Sequence, residues 1–497
     1  MSETTSLYES RRKVYPKAVG GTFRSLKWLI MLVTLGIYYL TPWIRWDRGP
    51  GLPDQAVLVD LPNRRFFFFF IELWPQEVYY FTGLLVLGAL VVFMLNAMYG
   101  RVWCGYTCPQ TVWTDLFLWV ERWVEGDRNK RMRQDNNRWR ANVWRKKLTK
   151  YAIFLLISVL TGGAWVFYFA DAPSLLVALI HFEAPLNAWI WIGVFTGTTF
   201  LLGGVAREQV CIYMCPWPRI QAAMTDEDAL SVTYRYERGE PRAPLKRADM
   251  LEKPLEFHDG QVKLSHRENA GDCIDCKACV AVCPVGIDIR NGLQLECIHC
   301  ALCIDACDEM MKKVDLPTGL IGYDTEKQIQ ARVVGKPIKT PVIRPRTMMY
   351  AGLILLISVI MGVSYFNRAQ LDITVQRDRN PLFVTLSNGD IRNGYELKIS
   401  NRTGYQHHYQ ISLQGDAVDA GVSANDMAMR INAIGYEVKD NKIIVPLAPS
   451  KLVAVRLFIT QTKDQVQDTR PVFFKAEPTD KTADAIFVQD FFKGPLE

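Results

Sequence analysis

Cysteine is missing from the last 190 residues of the chain, and all twelve cysteines lie in short motifs between residues 104 and 307. A disulfide framework, which is typical of small secreted domains, is therefore not expected. The motifs instead indicate metal or redox chemistry in a reducing compartment. A glycine-rich dinucleotide-binding fingerprint is also missing, so electrons must come from an external donor.

Charged residues are missing from five long stretches of the chain. Because a helix needs about 20 apolar residues to cross a bilayer, we predict five transmembrane helices. The stretches are residues 28–44, 78–100, 151–170, 184–206 and 347–367. No small-residue cleavage site follows the first stretch, which predicts a retained anchor and not a signal peptide. The phenylalanine run 66–70 is too short to span, and we expect it at the membrane interface.

Basic residues are distributed unevenly among the segments between these stretches. Lysine and arginine number six in residues 1–27, twelve in residues 101–150 and none in residues 171–183. The positive-inside rule then places the N-terminus and residues 101–150 in the cytoplasm of a bacterial inner membrane. The chain beyond the fifth helix falls in the periplasm. The net charge of +7 therefore indicates membrane orientation and not a nucleic-acid partner.

Eight cysteines between residues 273 and 307 form two consecutive runs with the spacing C-x2-C-x2-C-x3-C. In bacterial two-cluster ferredoxins, the fourth cysteine of each run ligates the cluster of the other run. We therefore assign one [4Fe–4S] cluster to Cys273, Cys276, Cys279 and Cys307, and the other to Cys297, Cys300, Cys303 and Cys283. Structural zinc is the alternative, but zinc takes its ligands as separated pairs.

A second motif, C-x-Y-x-C-P, occurs twice, at residues 104–109 and 211–216, just beyond the second and fourth apolar stretches. Positions i and i+4 share one face of a helix, so each copy offers two thiolates, and we expect the proline to end the turn. If the two helices are neighbours, four thiolates form a soft-ligand site for iron–sulfur or Cu(I). The candidate catalytic residues are Cys104, Cys108, Cys211 and Cys215. Alternatively, they are small apolar residues that pack at helix ends.

The sequence pattern predicts a multi-domain membrane protein. Its segments are a four-helix membrane domain (residues 1–216), a polar connector (217–270), a two-cluster ferredoxin-like domain (271–330), a tether with the fifth helix (331–367) and a periplasmic domain (368–497). The last segment contains eight short runs with alternating apolar residues, and Asn388-Gly389 is a hairpin signal. Eight short strands over about 130 residues predict an immunoglobulin-like β-sandwich.

The order and topology of these segments resemble the FixG/CcoG-type cytochrome c oxidase accessory proteins, a family of membrane-bound polyferredoxins. The resemblance covers essentially the whole chain, and residues 104–109, 211–216 and 273–307 carry it. One departure is Asp308 after Cys307, where a symmetrical ferredoxin motif has proline. The resemblance implies reduction of Cu(II) to Cu(I) for a high-affinity haem–copper oxidase. Copper is then the substrate, and oxidase assembly factors or subunits are the partners.

Two other functions fit the same sequence. One is a quinol-oxidising electron conduit to a periplasmic reductase, because related membrane polyferredoxins carry similar C-x3-C-P helices. The other is a non-enzymatic assembly scaffold or redox sensor. Reduction of the clusters by quinol would favour the first, and normal oxidase assembly in cluster-ligand mutants would favour the second.

Overall fold

The computed structural model describes residues 13–49, 52–137, 140–245, 265–336, 338, 341, 343–368, 371–401, 406–414, 429–448, 451–463, 469–479 and 485–495. Residues 246–264 of the predicted connector and residues 337, 339, 340 and 342 of the predicted tether lie outside this set. The chain divides into two compact units, residues 1–46 with 55–361 and residues 47–54 with 362–497.

The predicted membrane helices are present. Five helices are long and apolar enough to cross a membrane, namely Thr22–Trp43, Tyr79–Tyr99, Ala141–Val166, Leu186–Ala206 and Pro345–Phe366. Each overlaps one uncharged stretch of the sequence, which confirms the prediction. The third helix begins ten residues before its uncharged stretch, because its first turns also contain lysine and arginine side chains.

Shorter helices connect the membrane spans and continue through the ferredoxin region. In chain order the helices are α1 (Thr22–Leu40), α2 (Tyr79–Tyr99), α3 (Pro109–Glu125), α4 (Arg128–Asn136), α5 (Ala141–Val166), α6 (Ala172–Ile180), α7 (Leu186–Thr198), α8 (Trp217–Met224), α9 (Tyr236–Gly239), α10 (Ala278–Val282), α11 (Leu302–Lys313), α12 (Glu326–Val333) and α13 (Pro345–Phe366). The basic segment 101–150 is therefore largely helical.

Helix α3 is attached to its neighbours by buried ion pairs. The Asp115 carboxylate lies 3.0 Å from the Arg24 guanidinium and 3.5 Å from the Lys27 ammonium, both in α1. Further along α3, the Glu121 carboxylate lies 3.3 Å from Lys150 in α5 and 2.8 Å from Arg207. All of these side chains are buried. Asp115, Glu121 and Lys150 of the basic segment thus fix helix packing instead of facing solvent.

Three short strands follow α1, namely β1 (Val57–Asp60), β2 (Arg65–Phe68) and β3 (Ile71–Leu73), and they form an antiparallel sheet. The phenylalanine run contributes to β2, where Phe67 is buried and Phe68 is exposed. Two further strands, β4 (Ser231–Tyr234) and β5 (Ile321–Asp324), pair antiparallel. Residues of the predicted connector therefore supply a strand to the ferredoxin region, and this strand begins well before residue 271.

The C-terminal unit contains the strands β6 (Leu371–Arg377), β7 (Val384–Thr385), β8 (Ile391–Asn401), β9 (His407–Gln414), β10 (Met429–Ala433), β11 (Val438–Lys439), β12 (Lys442–Leu447), β13 (Leu452–Gln461), β14 (Thr469–Pro478) and β15 (Ile486–Lys493). Within the described residues they form two antiparallel sheets. One has the order β10-β13-β8-β6, with β7 beside β8, and the other has the order β11-β12-β9-β14-β15.

Alternating side chains of both sheets form the core of this unit. Leu397 and Leu457 from one sheet, and Ile411 and Val445 from the other, are fully buried. At the predicted hairpin Gly389 has a φ of 89°, and the Leu386 N–H donates to the Asp390 carbonyl. The immunoglobulin-like sandwich is confirmed. The sequence missed the short strands β10 and β11.

Candidate redox centre

The ferredoxin region encloses two cavities whose walls carry cysteines. The first cavity is lined by Cys273, Cys276, Cys279 and Cys307, together with Tyr234 and Arg290. The second is lined by Cys297, Cys300, Cys303 and Cys283, and Cys279 also reaches it. Each cavity thus combines three cysteines of one run with the fourth cysteine of the other run. This placement agrees with the prediction that the fourth cysteine of each run ligates the cluster of the other run.

The cysteines of the two cavities do not form a group that could hold a single ion. Among the described residues, no three side chains of His, Cys, Asp or Glu come close enough to hold one metal ion. A zinc site needs four thiolates about 2.3 Å from one ion. A [4Fe–4S] cluster instead has a separate iron for each thiolate, and its ligands stand farther apart. The cysteines therefore fit an iron–sulfur cluster, and they do not fit the zinc alternative.

Both cysteine loops have the same backbone conformation. The residues before and after the second cysteine of each run have positive φ, at Asp275 and Lys277 in the first run and at His299 and Ala301 in the second. Such angles are uncommon for residues other than glycine, and they persist where the surroundings fix them. The repeated left-handed turns curl each loop so that successive thiols face one centre. Helices α10 and α11 then follow.

Tyr234 in β4 supplies a polar group to the first cavity. Its hydroxyl is buried and lies within reach of the Cys273 thiol and the Glu240 carboxylate. Burial and the neighbouring Cys273 thiol raise the pKa of Tyr234, so the hydroxyl stays protonated and able to donate. A buried hydroxyl beside Cys273 can donate a hydrogen bond to the sulfur of a cluster ligand. This observation supports the fit of a cluster to the cavity.

Tyr234→Phe should lower the reduction potential of the cluster in the first cavity, because a hydrogen bond to ligand sulfur favours the more negative reduced state. A hydrogen bond contributes about 1 kcal/mol, or roughly 40 mV for one electron. An EPR-monitored redox titration of the purified protein measures the shift. The potential of the cluster in the second cavity serves as the internal control. Equal potentials in the variant and the wild type would contradict the assigned contact.

Two residues that sequence reasoning missed connect the second cavity to the membrane domain. The Arg101 N–H donates to His299 Nδ1 at 3.1 Å, and its guanidinium donates to the Leu295 carbonyl and, at 3.3 Å, to the Cys297 carbonyl. Burial and the positive charge of Arg101 lower the pKa of His299 to about 3, so the imidazole is a neutral acceptor. In the sequence Arg101 lies close to Cys104, and His299 lies between Cys297 and Cys300. These positions were the signal from which both residues could have been found.

The tyrosine and the glycine of the first C-x-Y-x-C-P motif also contact the ferredoxin loop. The Tyr106 hydroxyl donates to the Cys300 carbonyl at 3.3 Å. A Cβ at Gly105 would lie 2.6 Å from the Ile298 carbonyl oxygen, so only glycine allows this close approach. The motif is therefore in direct contact with the loop that carries Cys297, Cys300 and Cys303.

The two C-x-Y-x-C-P copies do not form the α-helical turns that the sequence predicted. They form π-helical turns, Trp103–Thr107 and Val210–Met214, and the second cysteine of each copy leaves the helical conformation. Each turn does end just before its proline, as expected, and the proline then introduces the next helix. Pro109 is the first residue of α3, and Pro216 precedes α8. Proline suits the start of a helix because its missing N–H has no intrahelical partner there.

These turns bring the two motif copies near each other, because Ile212 of the second copy packs against the buried cluster that contains Cys104. Burial and the charges of Cys108, Cys211 and Cys215 raise the pKa of Cys104 to about 12. Burial, Cys108 and Cys215 likewise raise the pKa of Cys211 to about 12. Thiols in such a site ionise when a positive metal centre offsets the burial. Cys104 Sγ also donates to Gln221 Oε1 at 3.1 Å, and Gln221 in α8 is a further residue that the sequence did not reveal.

The three groups of cysteines are contiguous. Cys279 lines both ferredoxin cavities. Cys104 packs in one buried cluster with Cys300 and Cys283, which line the second cavity. Cysteine-lined sites therefore follow one another from the first cavity through the second to Cys104. Close packing of this kind is suited to electron transfer.

Three family models match the chain. Residues 206–326 match a model described as a 4Fe-4S dicluster domain, and residues 80–131 match one described as a 4Fe-4S binding domain. Residues 361–495 match the model described as the Ig-like fold at the C-terminus of FixG, putative oxidoreductase.

Curated relatives are similar over most of their length. Protein RdxB of Cereibacter sphaeroides is 54% identical, over 84% of this chain and 85% of that protein. Nitrogen fixation protein FixG of Rhizobium meliloti is 46% identical, over 94% and 90%. Protein RdxA of Cereibacter sphaeroides is 48% identical, over 91% and 90%. With these relatives, five membrane helices and two cluster cavities, the chain belongs to the FixG family of membrane-embedded iron–sulfur electron-transfer proteins and has two [4Fe–4S] clusters in its ferredoxin region.

Proposed function

We propose that the protein reduces Cu(II) to Cu(I) during assembly of a haem–copper oxidase. The contiguous series from the ferredoxin cavities to Cys104 is the observation that carries this proposal. When bound, the clusters supply one-electron chemistry. Thiolate ligands prefer Cu(I) to Cu(II), so copper transfer between thiolate sites needs a reductant. A membrane protein with buried thiols beside a ferredoxin region meets this requirement.

The proposal gives each group of residues a role. Cys273, Cys276, Cys279 and Cys307 hold one cluster, and Cys297, Cys300, Cys303 and Cys283 hold the other. The terminal redox site consists of Cys104, Cys108, Cys211 and Cys215. Arg101 and Tyr106 position the terminal site against the ferredoxin loop. Each Cu(II) takes up one electron to become Cu(I), and an external donor supplies that electron.

Removal of iron should abolish the cluster-dependent reduction of Cu(II). Protein purified without oxygen, reduced with dithionite and desalted should convert Cu(II) to the coloured Cu(I)–bicinchoninate complex. The same protein stripped of iron with a chelator should lose the Cu(II) reduction that comes from the clusters. Any Cu(II) reduction that remains should come from oxidation of thiol pairs to disulfides, and a parallel measurement of free thiols should account for it. An iron-free sample with the full rate would contradict the proposal.

The proposed sidedness follows the basic residues. The N-terminus and the ferredoxin-like domain lie in the cytoplasm of a bacterial inner membrane, and the domain 368–497 lies in the periplasm, where it meets oxidase assembly factors or subunits. The other proposed segments are the membrane domain (residues 1–216), the connector (217–270), the ferredoxin-like domain itself (271–330) and the tether with the fifth helix (331–367).

Alkaline phosphatase fused after Glu497 should be active, because this enzyme folds only when it is exported. A fusion after Asn137, at the end of α4 in the basic segment, should be inactive. Fluorescent protein fusions at the same two positions should give the opposite pattern. An active phosphatase at Asn137 with an inactive one at Glu497 would invert the proposed topology.

A second candidate function is quinol oxidation, which a membrane cavity favours. The cavity has a volume of about 350 Å³, and its lining includes Tyr38, Trp113, Trp165 and Gln110. Pro109, the residue after Cys108, also lines it. Aromatic walls with few polar groups suit a flat ring. Rapid cluster reduction by a short-chain quinol, without any Cu(II) reduction, would replace the first candidate by this one.

A further inference from the structure

A cavity in the membrane domain is lined mainly by charged side chains. It has a volume of about 280 Å³, and its lining includes Lys13, Lys150, Arg207 and Glu121. A single water molecule needs only about 10–15 Å³ of cavity volume, so the cavity has room for a much larger polar group. Among the described residues no cysteine lines it, and it is therefore separate from the redox centre.

The cavity lies where two membrane spans meet the charged part of the chain. Lys150 directly precedes the uncharged stretch 151–170, and Arg207 directly follows the uncharged stretch 184–206. The third and fourth membrane helices contain these two stretches. Lysine and arginine at the ends of membrane spans lie at the level of the lipid headgroups, beyond the acyl chains. The charged lining is therefore placed at headgroup level.

Cations outnumber carboxylates in the buried ion pairs beside the cavity. This inner group contains three cations and two carboxylates in mutual contact, namely Lys150, Arg131 and Arg207 with Glu121 and Glu125. Burial alone raises the pKa of Glu121, but the charges of the three cations more than offset it and keep the pKa below its usual value. Glu121 is therefore ionised, and the inner group still has one positive charge in excess.

A second group at the cavity has the same imbalance. The Asp135 carboxylate contacts the ammonium groups of both Lys13 and Lys147. Lys13 lines the cavity, and its side chain is 40% exposed. The two groups together have five cations and three carboxylates, which gives a net charge of +2. Because an unpaired charge is costly to bury, an anion in the cavity would stabilise this arrangement.

Arg207 also has an unsatisfied donor. Its side chain lines the cavity and is 6% exposed, and its Nε is buried without a hydrogen-bond partner among the described residues. Buried polar groups nearly always have a partner, so an exception indicates that a partner is missing. The planar guanidinium of arginine is well suited to bind phosphate oxygens. A phosphate in the cavity would supply the missing acceptor.

The remaining lining favours a lipid over a free anion. Tyr151 and Val205 line the cavity and are 43% and 38% exposed, although both belong to membrane spans. In each span the residue four positions deeper is also apolar and exposed, namely Leu155 at 51% and Leu201 at 56%. The charged lining therefore adjoins an apolar surface of the two spans, as a lipid headgroup adjoins its acyl chains.

We propose that this cavity binds the phosphate of an anionic phospholipid, with Lys13, Lys150 and Arg207 around the headgroup and the acyl chains along the third and fourth membrane helices. Basic pockets between membrane helices bind lipid headgroups of this kind. Phosphate is common to a lipid headgroup and to free inorganic phosphate, but only the lipid also covers the apolar surface. The site is independent of the copper chemistry proposed above.

Native mass spectrometry of the full chain tests the site. Protein freed of endogenous lipid is titrated separately with dioleoyl phosphatidylglycerol, with dioleoyl phosphatidylcholine, which has the same acyl chains but no net charge, and with inorganic phosphate. Each nearby cation contributes about fivefold to the binding of an anionic lipid. The first phosphatidylglycerol should therefore bind at least about tenfold more tightly than phosphatidylcholine. Equal affinities of the two lipids would overturn the proposal, and so would inorganic phosphate that binds as tightly as phosphatidylglycerol.

Two variants that each remove one positive charge locate the lipid. Lys13→Gln removes a cation that lines the cavity and should weaken phosphatidylglycerol binding about fivefold. Lys146→Gln is the matched control and should bind like the wild type, because Lys146 is an exposed residue of α5 outside the cavity lining. Both lysines are exposed, so both variants should keep the thermal midpoint of the wild type. Equal losses of affinity in the two variants would show diffuse attraction to a basic surface and would overturn the site.

Discussion

Cys104→Ser and Cys211→Ser are each expected to abolish Cu(II) reduction while leaving the iron of the ferredoxin region in place. Serine keeps the size of the side chain but is a harder and poorly ionised ligand, so the terminal site loses its soft-metal chemistry. The contacts of Arg101 and Tyr106 with the ferredoxin loop use other atoms and persist. The bicinchoninate assay and an iron determination on the same preparation measure both effects.

The double variant Cys104→Ser/Cys211→Ser should be little worse than either single variant, because residues that act as one unit are non-additive. Met214→Ser, in the second motif copy and 63% exposed, serves as the matched control. If the losses of Cu(II)-reduction rate in the two single variants multiply in the double variant, the two motif copies form two separate sites. Full activity in the variant with all four cysteines replaced by serine would show that they are packing residues.

Asp115→Ala is expected to cost about 3–5 kcal/mol of stability, the range found when one partner of a buried ion pair is removed. Burial alone raises the pKa of Asp115, but the charges of Lys27 and Arg24 more than offset it and keep the pKa below the usual value. The variant leaves both cations buried without their carboxylate. The thermal midpoint in detergent should fall by roughly 5–10 °C, measured by tryptophan fluorescence.

The matched control for this loss is Glu309→Ala in α11. Glu309 pairs with Lys313 one turn later, and both side chains are more than half exposed. Exposed pairs at this spacing contribute about 0.3–0.5 kcal/mol, so the midpoint should hardly change. Similar midpoints for the Asp115 and Glu309 variants would show that the buried pair does not fix α3 to α1.

The membrane helices were predictable because charge is excluded from the bilayer, and this exclusion leaves a direct record in the sequence. Helix α3 was not predictable in the same way. Its charges pair with Arg24, 91 residues away, and with Arg207, 86 residues away. A single sequence does not show which distant charges meet. For the segment 101–150 the sequence therefore predicted only its basic charge and its cytoplasmic side.

The cysteines of the redox centre were also predictable from the sequence, but the backbone turns and the contacts around them were not. The ferredoxin cysteines follow a fixed spacing that the cluster chemistry imposes, and the doubled motif suggested that four more thiols converge. The π-helical turns were missed because i and i+4 positions suggest an ordinary helix. Gln221 was missed because its contact with Cys104 joins residues that are 117 positions apart. Strand β11 has only two residues, too few to show a pattern. The five residues of β10 do alternate apolar and polar side chains, and this strand was overlooked.

One anaerobic mixing experiment tests the central claim most directly. Purified protein is reduced, freed of excess reductant and mixed with Cu(II) and bicinchoninate, while the visible absorbance of the clusters and of the Cu(I) complex is followed together. The proposed function predicts that the clusters reoxidise as Cu(I) appears, with one Cu(I) formed for each electron lost. Clusters that stay reduced while Cu(II) remains Cu(II) would contradict it.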